Sequence, residues 1–332
     1  MAIVNLAEIV TLLCCPRCQH AIARTGDGYS CENAACLYHV RPFKTAGSWP
    51  VFVDYDKSIL VESEVLAFNA SSPVGRAPRL GRRLGRMLFP PNPRTERNIS
   101  RFVEALTEAA PDPLVLVIGG GEAGSGANRL YGQNGLRTVS FDIYGSPLTQ
   151  FVADAHDIPL SDGCVDGVVI QAVLEHVLDP WRVVAEAERV LKPTGLLYAE
   201  TAFLQQVHDG PYDFVRFTES GHRWLFNDFD RLDSGRIGGP GTQMLWSIDY
   251  LVRSVARQKA AGRLARLMFF WLRYLDGLAA ERFAIDSAAG VFFLGRRTAR
   301  PIRPREMVNH YMGAQRPQRD AVSLSPEELD RK

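Results

Sequence analysis

The sequence predicts an α/β fold: a parallel sheet flanked by helices, with a small metal-stapled module in front of it. Three observations carry this prediction. Beyond residue 111, short apolar β-branched runs alternate with amphipathic helical stretches, the pattern of consecutive βαβ units. The first of those runs opens into Gly119-Gly120-Gly121-Glu122-Ala123-Gly124, a Gly-x-Gly-x-x-Gly turn between a strand and a helix. Ahead of it, cysteines stand as two close pairs, Cys15/Cys18 and Cys31/Cys36.

Composition sets the frame for these elements. The chain has 332 residues, 46% of them hydrophobic and 23% charged, with a formal net charge of +1. That fits one large domain or two unequal ones and excludes whole-chain polybasic, acidic-disordered, collagen-like and disulfide-dense classes. The N-terminal stretch lacks a basic region and carries Glu8 within its apolar run, so it reads poorly as a signal peptide. The best apolar stretch, 264–280, is broken by Arg266, Arg273 and Asp276 and is unsuited to span a bilayer. A cytoplasmic, reducing compartment is the resulting expectation, and there clustered cysteines point to a metal rather than to disulfides.

The first element is the cysteine module. Cys15-Pro16-Arg17-Cys18 and the pair Cys31/Cys36 are spaced as two knuckles brought together by a hairpin, which is what tetrahedral Zn2+ requires. Gly26-Asp27-Gly28 supplies the turn, Tyr29-Ser30 opens a short strand, and 48–54 continues as another. So short a segment has too little core to fold alone, and a metal supplies the missing stability. Cys14 in place of Cys15, or His39 in place of Cys36, are alternative ligands. Four thiolates leave no open coordination position, so this zinc is expected to be structural.

From residue 70 to 98 the chain is rich in Pro, Gly and Arg, with Arg76, Arg79, Arg82, Arg83, Arg86, Arg94 and Arg97 against the single acid Glu96. It reads as a linker, with a short helix around 80–89. Its arginines suit phosphate contacts on RNA, a nucleotide sugar or a lipid head group, or simply a solvated surface.

Leu114-Val115-Leu116-Val117-Ile118 is the first strand of the sheet and reads as buried and parallel. The glycine turn that follows lets the backbone approach a ligand closely. Thr138–Asp142 is the second strand, and Asp142 ends it about twenty residues beyond the glycines, where an acid accepts both hydroxyls of a ribose. Asp154-Ala155 ends the next segment, and Gly167–Ile170 forms a further strand leading to Gln171-Ala172. Asp179-Pro180 caps a helix whose apolar face is Val183, Val184, Ala187, Val190 and Leu191. Leu196–Ala199 is the fifth strand.

The loop after that strand, 200–218, is dense in polar and aromatic groups and leaves the carboxyl end of a central strand, where an α/β active site forms. If the acceptor of a transferred group is a hydroxyl, a base is needed nearby. His208 is the first candidate and His176 the second. Tyr212, Asp213 and Arg216 are candidates to shape the pocket or bind an anionic substrate, although Asp213 and Arg216 at this spacing also suit a local ion pair. A helix begins at Thr218, and a helical region is expected from Thr242 to about Ala280. Its second half suits a core-packed insertion, a membrane-surface helix, a homodimer face or a lid. Val291–Gly295 reads as the last strand, and the polar tail from Arg300 reads as disordered.

In this order and at these spacings, the Gly119–Gly124 loop, Asp142, Asp154-Ala155, the Leu174-Glu175-His176-Val177 run and the Arg189–Pro193 run resemble the class I S-adenosylmethionine-dependent methyltransferases. The cysteine knuckles resemble the zinc-ribbon module found at the front of several such enzymes. The resemblance implies a Rossmann-like seven-stranded sheet closed by an antiparallel hairpin. It implies that Gly119, Gly121, Glu122 and Gly124 lie under the methionine part of the cofactor. Asp142 would bind its ribose, Asp154 its adenine amino group with Ala155 beside it, and Gln171 and Ala172 would stand near the sulfonium. The chain departs from the family at Val117, where an acid usually helps hold the methionine amino group; the expected compensation is Glu122 from inside the loop, or waters and backbone carbonyls. The implied division is a zinc ribbon over 1–60, a linker over 61–98, a methyltransferase domain over 99–299 with a helical insertion at about 242–282, and a tail over 300–332. The implied function is methyl transfer to an O or N atom of a small-molecule or glycan-type acceptor. The rivals are an RNA methyltransferase gripping RNA with the ribbon and arginines, and a non-catalytic scaffold that keeps the fold.

Overall fold

Leu114–Ile118, the expected first strand (β5 below), is buried at every position and forms the middle of the sheet. The structure is a computed structural model that describes residues 3–26, 28–71, 92–132 and 135–315. The strands are β1 (Ile22–Thr25), β2 (Gly28–Cys31), β3 (Thr45–Ala46), β4 (Trp49–Phe52), β5, β6 (Arg137–Asp142), β7 (Phe151–Ala153), β8 (Val165–Gln171), β9 (Leu191–Ala202), β10 (Phe229–Arg236) and β11 (Gly290–Arg297). β7, β6, β5, β8 and β9 pair in parallel, and β11 and β10 follow as antiparallel strands on the far side of β9. These are the seven strands the sequence leads one to expect, although β10 gave no strand signal of its own.

The sheet does not stop there. β4 pairs in parallel with β7 through Val51↔Val152 and Phe52↔Ala153, and β3 follows β4, giving a nine-stranded sheet. The cysteine module is therefore built onto the edge of the main sheet. Phe52 is fully buried against Phe43 at 5.2 Å and Phe151 at 5.6 Å between ring centroids. Cys15, Cys31 and Cys36 belong to the same apolar cluster as Leu116, Phe141 and Ile170. Each large apolar side chain buried in this seam contributes about 1.5–3 kcal/mol, so the module and the sheet stabilise one another.

Helices cover both faces. Asn92 caps the helix Pro93–Ala109, accepting from the Arg94 N–H at 2.9 Å, with Pro93 in the first turn where its missing donor does no harm. Ile99, Phe102, Val103 and Leu106 form its buried stripe against Val115, Val117, Val169 and Tyr198. On the other face, Asp179 caps Pro180–Val190 as the sequence predicts, and Val183, Val184, Ala187 and Val190 are buried against Val168, Ile170 and Leu197.

Several details differ from the sequence reading. A helix, Glu62–Ser71, lies within the expected linker, and Arg94 is held by Glu281 at 2.7 Å. Arg76, Arg79, Arg82, Arg83, Arg86 and the short helix expected around 80–89 lie outside the described residues. The expected continuous helical region is interrupted at Arg257, whose φ of +55° ends Pro240–Ala256 before Lys259–Met268 and the 3-10 segment Phe270–Gly277. The expected disordered tail instead folds in its first part: Pro304–His310 is a helix, His310 meets Glu219 at 2.8 Å and Tyr311 donates to Asp286. Among the described residues no helix is long and apolar enough to cross a membrane.

Candidate active site

A cavity of about 590 Å³ opens at the carboxyl ends of β5, β6, β8 and β9, lined by the Gly119–Gly124 loop, Asp142, Tyr144, Asp154, Gln171, Ala172, His176, Glu200 and Tyr212 among others. That is ample for a nucleotide-sized ligand. The glycines are required by shape. Gly119 has φ of +72°, and a Cβ there would lie 2.2 Å from Val173 Cγ2. A Cβ at Gly121 would lie 2.7 Å from Asp142 Oδ2. Without one, the Gly121 N–H donates to Asp142 Oδ2 at 2.9 Å, while the Ile143 N–H donates to Oδ1 at 2.7 Å. Burial raises the Asp142 carboxyl to about 6 despite those bonds, and Glu122 nearby adds to the rise.

Asp154 sits at the end of β7, braced from two sides. His156 donates from its backbone N–H at 3.0 Å and from Nδ1 at 2.6 Å to Asp154 Oδ1, and Ser58 Oγ donates to Oδ2. The Asp179 N–H donates to His156 Nε2 at 3.1 Å, which fixes the proton of the neutral ring on Nδ1. Burial pushes the Asp154 carboxyl up, but the bonds from His156 and Ser58 outweigh it and hold the group below its ordinary value. Ile59 and Leu60, at the end of the cysteine module, line this end of the cavity beside Ser58. The sequence held no local sign of that contribution.

At the sulfonium end expected from the resemblance, Ala172 adopts φ of +54°, a conformation that strains a residue with a side chain and that recurs at functional sites. Gln171 Nε2 donates to Glu200 Oε2 at 2.9 Å, and Tyr198 donates to Glu200 Oε1. Glu200 is 7% exposed, and burial pushes its carboxyl up. Val117, where the family carries an acid, lines the same cavity, as do Glu122 and Glu200. Glu122 was foreseen as compensation; Glu200 was not, although an acid at the carboxyl end of a central strand is a legible signal.

The loop after β9 separates the remaining candidates. Tyr212 and His176 reach the cavity; His208, Asp213 and Arg216 do not line it. Arg216 grips Asp213 with both terminal nitrogens and donates from Nε to the Gln205 carbonyl at 2.8 Å. The Asp213 side chain is 1% exposed. Burial pushes its carboxyl up, yet Arg216 and the His208 N–H hold it down at about 2. Asp213 and Arg216 thus brace the loop, in the ion pair their spacing allowed, rather than face a ligand. The His208 ring stacks edge-on to His176 with centroids 4.8 Å apart.

The four cysteines are brought together as expected. Cys15 and Cys36 Sγ are 3.7 Å apart and Cys18 and Cys31 Sγ are 3.4 Å apart, with all four within 4.8 Å of one another. Tetrahedral Zn–S bonds of about 2.3 Å put sulfurs roughly 3.8 Å apart, so the donor set and its spacing fit zinc. Both alternative ligands lie elsewhere: Cys14 donates toward Gln19 and the Ile158 carbonyl, and His39 Nδ1 meets the Cys31 carbonyl at 2.8 Å.

This strand order, with a glycine turn under a cavity and acids closing β6 and β7, defines a class I methyltransferase-type nucleotide fold. Residues 116–199 match the methyltransferase domain family, and by family this part of the chain is a class I S-adenosylmethionine-dependent methyltransferase domain. The chain is similar to the ubiquinone/menaquinone biosynthesis C-methyltransferase UbiE of Acidiphilium cryptum, with 32% identity over 39% of this chain and 50% of that protein. It is also 48% identical to an uncharacterized 37.1 kDa protein in transposon TN4556 of Streptomyces fradiae, over 14% of this chain and 13% of that one. The matches thus span half or less of these relatives' own length. Among solved structures, the 1,6-didemethyltoxoflavin-N1-methyltransferase of Burkholderia thailandensis aligns over 66% of this chain and 84% of its own, with 14% identity and a TM-score of 0.38.

Proposed function

We propose that this protein is an S-adenosylmethionine-dependent methyltransferase acting on an O or N atom of a small-molecule or glycan-type acceptor. The observation that carries the reading is the cavity itself: within the matched family segment, one space is bounded by the glycine turn, Asp142 and Asp154, the three contacts that the amino-acid, ribose and adenine parts of the cofactor need. The bound cofactor supplies an electrophilic methyl group on sulfur. The chain's own work is then to hold and orient. The glycine turn admits the amino-acid portion, Asp142 accepts from the ribose hydroxyls, and Asp154, kept ionised by His156 and Ser58, accepts from the adenine amino group. Gln171 and Glu200 offer polar atoms at the end where the methyl group would lie, and Tyr212 and His176 form the wall from which an acceptor would approach. In-line displacement asks chiefly for that positioning.

We further propose that Cys15, Cys18, Cys31 and Cys36 hold a structural Zn2+, on the strength of four sulfurs gathered at near-tetrahedral separations. The metal would stiffen β4 and the Ser58–Leu60 wall rather than take part in chemistry. The test of function is a labelled-methyl screen of the full chain against metabolite, glycan and RNA fractions. Incorporation into a small-molecule or glycan fraction supports the reading; incorporation into RNA alone overturns its acceptor class.

A further inference from the structure

A second group of ligating side chains lies beside the cavity, apart from the four cysteines. Glu175, His176 and His208 present one ligand atom each, all within 4.8 Å of one another. Glu175 is 2% exposed. Its carboxylate oxygen Oε2 is buried with no hydrogen-bond partner among the described residues. A buried carboxylate oxygen left in that state is costly unless a cation meets it.

The two imidazoles are arranged to be that cation's other ligands. His176 Nδ1 lies 2.6 Å from the Tyr212 carbonyl, and His208 Nδ1 lies 3.2 Å from the Gln206 carbonyl. A carbonyl oxygen only accepts, so each ring carries its proton on Nδ1 and keeps the lone pair on Nε2. Metal-binding histidines are held in this way, with the remote N–H tied to a carbonyl or carboxylate. Asp213 adds the carboxylate half of that pattern: its Oδ2 lies 3.5 Å from His208 Nδ1, and Arg216 locks it in place.

We propose that Glu175, His176 and His208 form a second divalent-metal site, best matched to Zn2+, whose open position faces the acceptor side of the cavity. Two imidazoles and one carboxylate are a zinc donor set that leaves a position for water or substrate. Mg2+ and Ca2+ favour oxygen ligands instead. Ligand atoms around zinc stand roughly 3.3 Å apart, so a small inward shift of His208, on its loop, completes the site. The chemical role rests on the methyltransferase reading. An acceptor hydroxyl coordinated there is acidified and releases its proton to solvent. Its oxygen lone pair then forms the O–CH3 bond as the S–CH3 bonding pair returns to sulfur, leaving S-adenosylhomocysteine.

The test is the zinc content of the full-length folded protein after zinc loading and gel filtration into metal-free buffer. His176→Ala, His208→Ala and the near-isosteric Glu175→Gln are compared with the parent protein, and circular dichroism checks the fold. The expected result is one zinc equivalent fewer in each variant. Co2+ added to protein whose cysteine site is filled with zinc should give weak visible absorption bands without thiolate charge transfer, absent in His208→Ala. Equal zinc content in the parent protein and all three variants, with no Co2+ spectrum, overturns the proposal. So does loss of methyl transfer in His208→Ala with unchanged zinc content, which makes His208 a base. A metal difference in a protein that fails to bind S-adenosylhomocysteine keeps the site and removes only its methyl-transfer role.

Discussion

The Gly121 N–H donates to Asp142 Oδ2 at 2.9 Å, tying the glycine turn to the end of β6. Asp142 therefore shapes the turn and keeps acceptor capacity for the ribose contact proposed above. Asp142→Ala should weaken S-adenosylhomocysteine binding about 10- to 100-fold, the equivalent of losing charge-assisted hydrogen bonds worth about 1.5–3 kcal/mol. Calorimetry at pH 7.5 measures it. Because burial raises the Asp142 carboxyl to about 6, the ionised acceptor is lost as the pH falls through that value. Affinity of the parent protein should decline from pH 7 to pH 5, and the decline should be absent in Asp142→Ala.

Gly119→Ala tests the shape of the turn. With φ at +72° and Val173 Cγ2 2.2 Å from the new methyl group, the backbone must move. We expect a loss of about 1–3 kcal/mol in stability and no measurable cofactor binding. Urea unfolding and calorimetry read the two effects separately.

Glu200 and Glu122 can be separated as replacements for the acid missing at Val117. Glu200 is held by Gln171 and Tyr198 on the cavity wall, whereas Glu122 is an exposed loop residue. Glu200→Gln should reduce affinity for S-adenosylhomocysteine more than Glu122→Gln does. Neither change should alter binding of 5′-methylthioadenosine, which lacks the amino-acid part. Competition binding with both ligands provides the comparison.

Asp213 is held down at about 2 by Arg216 and the His208 N–H. A carboxylate whose folded-state value is depressed stabilises the fold above its unfolded value near 4 and loses that contribution as the pH falls toward 2. Asp213→Asn should therefore destabilise the protein by about 1–3 kcal/mol at pH 7. The difference from the parent protein should shrink below about pH 4, as followed by chemical denaturation across that range.

Removing the metal proposed for the cysteine module should be felt in the main sheet, because β4 is hydrogen-bonded to β7 and Phe52 packs on Phe151. Cys18→Ser, or chelation in mild denaturant, should raise amide exchange at 51–53 and 151–153. It should also weaken cofactor binding through the Ser58–Leu60 wall.

What the sequence made legible was local. The β-branched runs, the glycine turn, the cap at Asp179 and the acid closing β6 depend on short-range stereochemistry, and all stand where their spacing placed them, whereas the helix capped by Asn92 lies where the Pro-rich run read as linker. The docking of β4 on β7 was not legible, because parallel pairing across about a hundred residues leaves no local mark. Nor was β10, whose run Phe229-Asp230-Arg231-Leu232-Asp233 lacks the clean alternation of a strand and is formed as an edge by pairing with β11. Among the site residues, Asp213 and Arg216 looked like ligand-binding groups because sequence shows charge but not whom it faces. Glu175 stood in the sequence only as part of the Leu174–Val177 run that carries the resemblance, and its buried, unmatched oxygen is what marks it out.

The most direct measurement of the central claim is titration of the folded full-length protein with S-adenosylhomocysteine in a calorimeter. The account predicts a single saturable site, abolished by Gly119→Ala and strongly weakened by Asp142→Ala. Absence of any binding heat at millimolar ligand, with circular dichroism showing native structure, would contradict it and leave a methyltransferase fold that no longer holds the cofactor.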